Sequence, residues 1–268
     1  MNTYKEIKDL VSVQLQGKKF KLLGCLLALS FFFIFVKEGM GLALSSDSTL
    51  YMVLSFVTSI LNIIGNAIVI VMFLCNTRGC SIKKEDIFYL CKNSHYVILV
   101  GILLSMIQMF VAMLGIFTSI IPILFVFVLS TIYLFFILWN AVVAFGVYDG
   151  NHKISELILG SLKLMFANIK SIMMVSLIFI LWYAIGQIGI PMIMNSLLGE
   201  AKTAGLIIAT MMKASETNMI NAFLLGGIHV LYYGVQFVLL VPMYASVAII
   251  YERGKKTYMP NNHGVLIK

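Results

Sequence analysis

The chain has 268 residues, 61% of them apolar and only 11% charged, with a formal net charge of +8. Soluble domains carry about 25% charged residues, so an ordinary water-soluble fold is excluded. A mean hydropathy of +1.01 over the whole length also excludes a soluble enzyme carried on one anchor. What remains is a polytopic membrane protein.

Crossing about 30 Å of hydrocarbon takes roughly 20 mostly apolar residues in a helix. Runs of that kind predict six spans. The first covers 21–41 and the second 49–75. Residues 96–148 hold no Asp, Glu, Lys or Arg, which suits two spans with a turn at Thr118, Ser119 and Pro122. The fifth covers 171–194 and the sixth 223–251. A transmembrane barrel would alternate apolar and polar residues, whereas these runs are apolar on every face, so the expected class is all-α. The apolar core of the first span ends at Lys37, Glu38 and Gly39 rather than at a small-residue cleavage site, so it is expected to be retained as a helix.

Lys and Arg concentrate on the cytoplasmic side of membrane proteins. With the N-terminus inside, 16 of the 19 basic residues fall on that side and only Lys37, Lys202 and Lys213 outside. Both termini are then expected on the cytoplasmic side. The basic balance reads as topology and as affinity for an anionic inner leaflet, not as nucleic-acid binding. Cys25, Cys75, Cys80 and Cys91 fall near the reducing side, where disulfides are not expected.

Three inner segments share a design of short amphipathic stretch, polar break and pair of spans. The first places Ile7, Leu10, Val11 and Leu15 at helical spacing; the second, 81–92, places Ile87, Leu90 and Cys91 together. The third, 153–170, carries Ile154, Leu157, Ile158, Leu162, Met165 and Ile169 in one stripe. Such helices suit the inner interface, apolar side in the acyl boundary and lysines toward head groups. Ser81 and Ser155 are expected helix caps. Residues 1–252 then form one transmembrane domain with degenerate repeats at 1–76, 77–148 and 149–252, and 253–268 form a cytoplasmic tail. An outer amphipathic helix is expected around Leu206 to Met212.

No charged residue falls deep in a span, which argues against proton- or sodium-coupled transport. The uncharged polar residues there suggest a polar seam of Asn62, Asn66, Asn140, Gln187, His229 and Gln236, with Gln108 nearby. Pro122, Pro191 and Pro242 are expected to end or kink their helices. Metal spacing and hydrolase or nucleotide-binding motifs are absent, so neither cofactor nor enzymatic activity is expected; a His229–Ser176 pair is the weakest catalytic reading. Candidate contacts on the inner surface are Glu85, Asp86, Asp149, Glu156, Lys163 and Lys170.

Residues 147–188 resemble a family of uncharacterised bacterial six-helix membrane proteins, similar to the membrane domain of glycerophosphodiester phosphodiesterases. The resemblance is carried by Tyr148-Asp149, Ser155-Glu156, Ser161-Leu162-Lys163-Leu164-Met165, Asn168-Ile169-Lys170 and Leu177 through Trp182. It continues at Pro242-Met243-Tyr244 and Ala248 through Tyr251, and the opening from Lys8 to Lys18 is also similar. It implies a fold and a location; with no phosphodiesterase domain in the chain, no hydrolysis is implied. The expected function is a non-enzymatic membrane protein engaged in lipid or peptide handling, envelope maintenance or resistance to a membrane-active peptide. The alternative is the permease subunit of an ATP-driven exporter, with 81–93 docking an ATPase.

Overall fold

A computed structural model describes residues 4–43, 48–103, 106, 122–198 and 216–259. Every regular element among the described residues is helical: α1 (Tyr4–Leu15), α2 (Lys19–Ala43), α3 (Thr49–Thr77), α4 (Lys84–Lys92), α5 (Ser94–Leu103), α6 (Pro122–Tyr148), α7 (Ile154–Ala167), α8 (Ile169–Leu198) and α9 (Glu216–Tyr258). Among the described residues four stretches are long and apolar enough to cross a membrane: Thr49–Thr77, Val126–Tyr148, Ile169–Gly186 and Val230–Tyr258. These coincide with the second, fourth, fifth and sixth expected spans. The first expected span lies in α2, and the third begins in the short apolar α5 and continues outside the described residues. The turn at 118–121 and the outer amphipathic stretch at 206–212 also fall outside them.

The short helices α1, α4 and α7 occur where the amphipathic segments are expected, each followed by a longer helix or helix pair. All three gather at one end of the bundle, hereafter the basic end. The stripes of α1 and α7 turn onto the protein, with Ile7, Val11 and Leu15 and then Leu157 and Met165 buried, whereas of the α4 stripe only Leu90 is buried and Ile87 and Cys91 are exposed. For α1 and α7 the expectation of acyl-chain contact is thus replaced by packing on neighbouring helices, and the α4 stripe stays largely outward. A different apolar set faces outward, including Val13, Phe20, Phe88, Leu159 and Phe166.

Helix boundaries follow local chemistry. Ser48 accepts from the Tyr51 amide at 3.1 Å and starts α3. At α4 the expected Ser81 cap is displaced by Lys83, whose backbone N–H donates 2.7 Å to the carboxylate of Asp86. At α7 the start is Lys153, and Ser155 lies inside the helix. The acidic residue inside the first turn wins at α4 because it meets both the orphan amide and the positive helix end. Helices α3 and α6 both stop at a left-handed glycine, Gly79 (φ 71°) and Gly150 (φ 82°). The Cys80 amide reaches back to the Cys75 carbonyl at 2.9 Å and the Asn151 amide to the Gly146 carbonyl at 3.0 Å.

The core sits toward the basic end. From Ala141 to Tyr148 of α6 every residue is buried, and Leu240, Val241, Met243, Tyr244 and the run from Ala245 to Tyr251 of α9 are buried as well. A helix apolar all round needs cover on all sides, and these two segments are wrapped by α3, α7 and α8. The opposite half presents Phe32, Phe35, Leu50, Phe56, Ile178, Ile185 and Leu231 outward, a surface suited to hydrocarbon rather than water.

Close backbone approach seals the basic end. Met259 is fully buried beside Gly146 and Gly160. A Cβ at Gly160 would come within 2.5 Å of the Tyr258 carbonyl oxygen, whereas one at Gly24 would meet nothing. Gly160→Ala is therefore expected to destabilise the protein by about 1–3 kcal/mol, and Gly24→Ala to be neutral or stabilising by up to about 1 kcal/mol. Unfolding midpoints in detergent check this pair, and equal midpoints would contradict the packing.

Candidate functional site

Two features combine polar side chains from distant parts of the chain. The first is an ion cluster at the basic end. Asp149, one residue beyond α6, has a side chain only 1% exposed. Its Oδ2 accepts from Arg78 Nη2 at 2.6 Å, Tyr251 Oη at 2.9 Å and Lys255 Nζ at 3.2 Å. Glu252 takes a second bond from Arg78 Nε, and Lys255 Nζ approaches it at 2.7 Å. Two cations and two anions thus balance, as a largely desolvated group requires. Burial alone would lower the Arg78 pKa, but the hydrogen bonds and charges of Asp149 and Glu252 more than offset it and leave the guanidinium raised.

The glycine stops explain how the cluster forms. Ending α3 at Arg78-Gly79 and α6 at Asp149-Gly150 leaves opposite charges at equivalent exits, and α9 runs through both positions without stopping, bringing Tyr251, Glu252 and Lys255 on successive turns. Nearby, the buried Trp139 indole donates to Ser161 Oγ at 2.6 Å, tying α6 to α7. Asn76 Nδ2 donates to the Gln14 carbonyl at 2.9 Å, tying α3 to α1. His152 stacks on Tyr96, centroids 5.0 Å apart, and shares a 3.2 Å hydrogen bond with Tyr89. Desolvation, then the charge of Asp149, raises the Tyr89 pKa, so the phenol keeps its proton.

The second feature is a cavity of about 480 Å³ bounded by α2, α3, α5, α6 and α9. Among the described residues its polar lining is Ser30, Ser55, Thr58, Ser59, Asn62, Asn66, Tyr133, Asn140 and Tyr244, and none of the described lining residues is charged. Asn66 Nδ2 donates to Asn62 Oδ1 at 3.0 Å. The Asn140 amide and the Tyr244 hydroxyl line the cavity without a hydrogen-bond partner among the described residues. Along α3 the lining runs from Ser55 to Ile70, about 22 Å at 1.5 Å per residue. Beneath it Phe73 packs on Tyr244 (5.5 Å) and Phe145 on Tyr251 (5.3 Å), so aromatic rings separate cavity from ion cluster.

Of the expected polar seam, the structure brings Asn62, Asn66 and Asn140 together in this cavity. Gln236 is buried in α9 but is not among the lining residues, its neighbour Phe237 being there instead. The side chains of Gln187 and His229, and the whole of Gln108, lie outside the described residues. The Ser176–His229 pairing depends on the His229 side chain and so lies outside the described residues. Trp182 of α8 bonds the Tyr232 carbonyl of α9, and from that level the two residues diverge by about 13 Å along antiparallel helices. Of the expected inner-surface residues, Glu85, Lys163 and Lys170 are exposed and Glu156 half-buried. Asp86 and Asp149 instead turn inward, 5% and 1% exposed, because one caps a helix and the other anchors the ion cluster.

No protein-family model, curated protein or solved structure matches this chain. Functional inference therefore rests on the residues themselves. Among those described, no three His, Cys, Asp or Glu side chains group to hold a metal ion.

Arg78, Glu252 and Lys255 escaped the sequence reading because ion pairs across 71 to 174 residues leave no local pattern. The charge-plus-glycine exits Arg78-Gly79 and Asp149-Gly150 were the available signal. Asp149→Asn is expected to cost about 3–5 kcal/mol by stranding Arg78 and Lys255. Asp149→Asn combined with Arg78→Gln should cost less than the two singles added, since the pair is removed together. Unfolding by titrated SDS measures both, and strict additivity would mean that the pair does not interact.

Proposed function

We propose that this chain is a non-enzymatic integral membrane protein of a bacterial inner membrane, engaged in lipid or peptide handling within the envelope. The observation that carries the reading is the cavity inside the bundle, lined by amides and hydroxyls with no charge. Among the described lining residues no His, Cys, Lys, Asp or Glu stands beside the serines to activate them for hydrolysis, whereas hydrogen-bonding groups framed by apolar walls suit reversible binding.

In this reading α2 supplies the first span and α5 opens the third, giving six spans with both termini inside. Support comes from the basic residues: Lys83, Lys84, Lys92, Lys153, Lys163, Lys170, Lys255 and Lys256 all belong to α4, α7, the end of α9 or their flanks. The outward apolar residues Phe20, Phe88 and Phe166 beside these lysines suit contact with anionic head groups and the upper acyl region. The resemblance to uncharacterised six-helix membrane proteins agrees with this arrangement.

Orientation is tested at Cys80, which is exposed between α3 and α4. With the other cysteines replaced by Ala, an impermeant maleimide should label Cys80 in inverted vesicles and not in intact cells; the reverse pattern would overturn the topology. Binding is tested by native mass spectrometry of the gently solubilised protein. Retained lipid or peptide is expected, and hydrolysis of either, lost on His229→Ala, would overturn the non-enzymatic reading.

A permease subunit of an ATP-driven exporter is the second reading. It is favoured by α4, which sits at the basic end between α3 and α5 with Lys84, Glu85 and Phe88 exposed. An ATPase that co-purifies with the chain and is lost on Glu85→Ala would promote it.

A further inference from the structure

The lining of the cavity narrows the chemistry of its occupant. Tyr244 is only 7% exposed, yet its hydroxyl lines the cavity and has no hydrogen-bond partner among the described residues. The hydroxyl is thus open to the cavity and available to a group that enters it. Asn140 of α6 is half-buried, likewise has no hydrogen-bond partner among the described residues, and offers both a donor and an acceptor. The Asn62–Asn66 pair, after its mutual bond at 3.0 Å, keeps three N–H donors and acceptor capacity on both carbonyl oxygens.

The cavity's other hydroxyls are asymmetric. Thr58 Oγ1 donates to the Leu54 carbonyl and Ser59 Oγ to the Ser55 carbonyl, each at 2.8 Å. Their protons are spent on their own helix, and only oxygen lone pairs remain for a ligand. The lining as a whole thus offers acceptors at Thr58 and Ser59 and donors at the Asn amides and at the Ser30, Ser55, Tyr133 and Tyr244 hydroxyls, which suits a ligand whose O–H groups both donate and accept. An ester carbonyl, which only accepts, meets those same donors.

Charge excludes further classes. Among the described residues no Asp, Glu, Lys, Arg or His lines the cavity, so a phosphate, carboxylate or ammonium would meet no counter-charge from them. An apolar peptide would present trans amides whose N–H and C=O point in opposite directions, and it would leave most of them unpaired against Leu26, Phe33, Ile63, Ile137 and Phe237. Those same apolar walls suit the first carbons of an acyl chain.

We propose that the cavity binds the uncharged, hydroxyl-bearing head of a neutral lipid of the diacylglycerol or glycosyl-diacylglycerol class. Asn140, Tyr244 and the Asn62–Asn66 pair hold the head, with Thr58 and Ser59 accepting from its hydroxyls. This assignment rests on the lipid-or-peptide reading above and selects between its branches.

The test uses the full-length protein in phosphatidylcholine nanodiscs and four probes: dioleoylglycerol, monoglucosyl-dioleoylglycerol, dioleoyl-phosphatidylglycerol and blocked tetraleucine amide. The two neutral lipids are expected to be retained roughly tenfold over the anionic lipid and the peptide. Tyr244→Phe, which removes one hydroxyl, should weaken them about fivefold, and Asn140→Leu more, while Asn140→Gln keeps most of the binding. Unfolding midpoints accompany each variant, and if Asn140→Leu does not fold, Tyr244→Phe and Asn140→Gln carry the comparison. Preference for phosphatidylglycerol or the peptide, or indifference of neutral-lipid binding to Tyr244→Phe and Asn140→Gln alike, overturns the assignment and leaves lipid or peptide handling standing. Retention of none of the four overturns both.

Discussion

Asp149 is the constraint around which the basic end is organised. One carboxylate oxygen, almost wholly removed from solvent, collects donors from the exit of α3 and from two turns of α9. Taking that charge out of water is costly unless its partners are fixed within a few tenths of an ångström. The backbone must therefore deliver Arg78, Tyr251 and Lys255 to one point, and the left-handed glycines at 79 and 150 are the means. Once those exits are set, the short helices have no freedom to hang loose: α1 is tied to the end of α3 through Gln14, and α7 is held between Trp139 and Met259.

How much of this was legible in the sequence depends on whether a signal is local. The long helices were readable because length and apolarity are read within a window; α3 begins at the expected Thr49 and stops within two residues of the expected end. The short helices were readable from 3.6-residue periodicity, but what covers their stripes was not. Periodicity says that a face is buried and not whether lipid or protein buries it, and for Leu157, Leu164 and Met165 it is protein. Caps were misread at α4 and α7 because a serine and a nearby acidic residue compete for the same amide, and Asp86 wins at the first.

The candidate site divides the same way. Asn62 and Asn66 announced a shared face by their spacing of four, and they do bond. That Asn140 on another helix would meet them follows only from tertiary packing. Tyr244 was read as part of an apolar run, since an unpartnered hydroxyl is a property of three dimensions. Asp149 was visible as a charge at a helix end, yet nothing nearby revealed that its partners sit 71 and 106 residues away.

The uneven burial along the helices has a mechanical consequence. Side chains near the basic end are interlocked on all faces, and those of the opposite half, such as Phe35, Phe56 and Ile185, have no protein over them. A bilayer that thins or thickens acts on the boundary between apolar surface and water, so its force falls on the half with the fewest internal contacts. That half carries the Ser55, Thr58 and Ser59 end of the cavity, whereas the ion-paired end behaves as a rigid footing. The half that a change in thickness would load first is thus the half that shapes that end of the cavity.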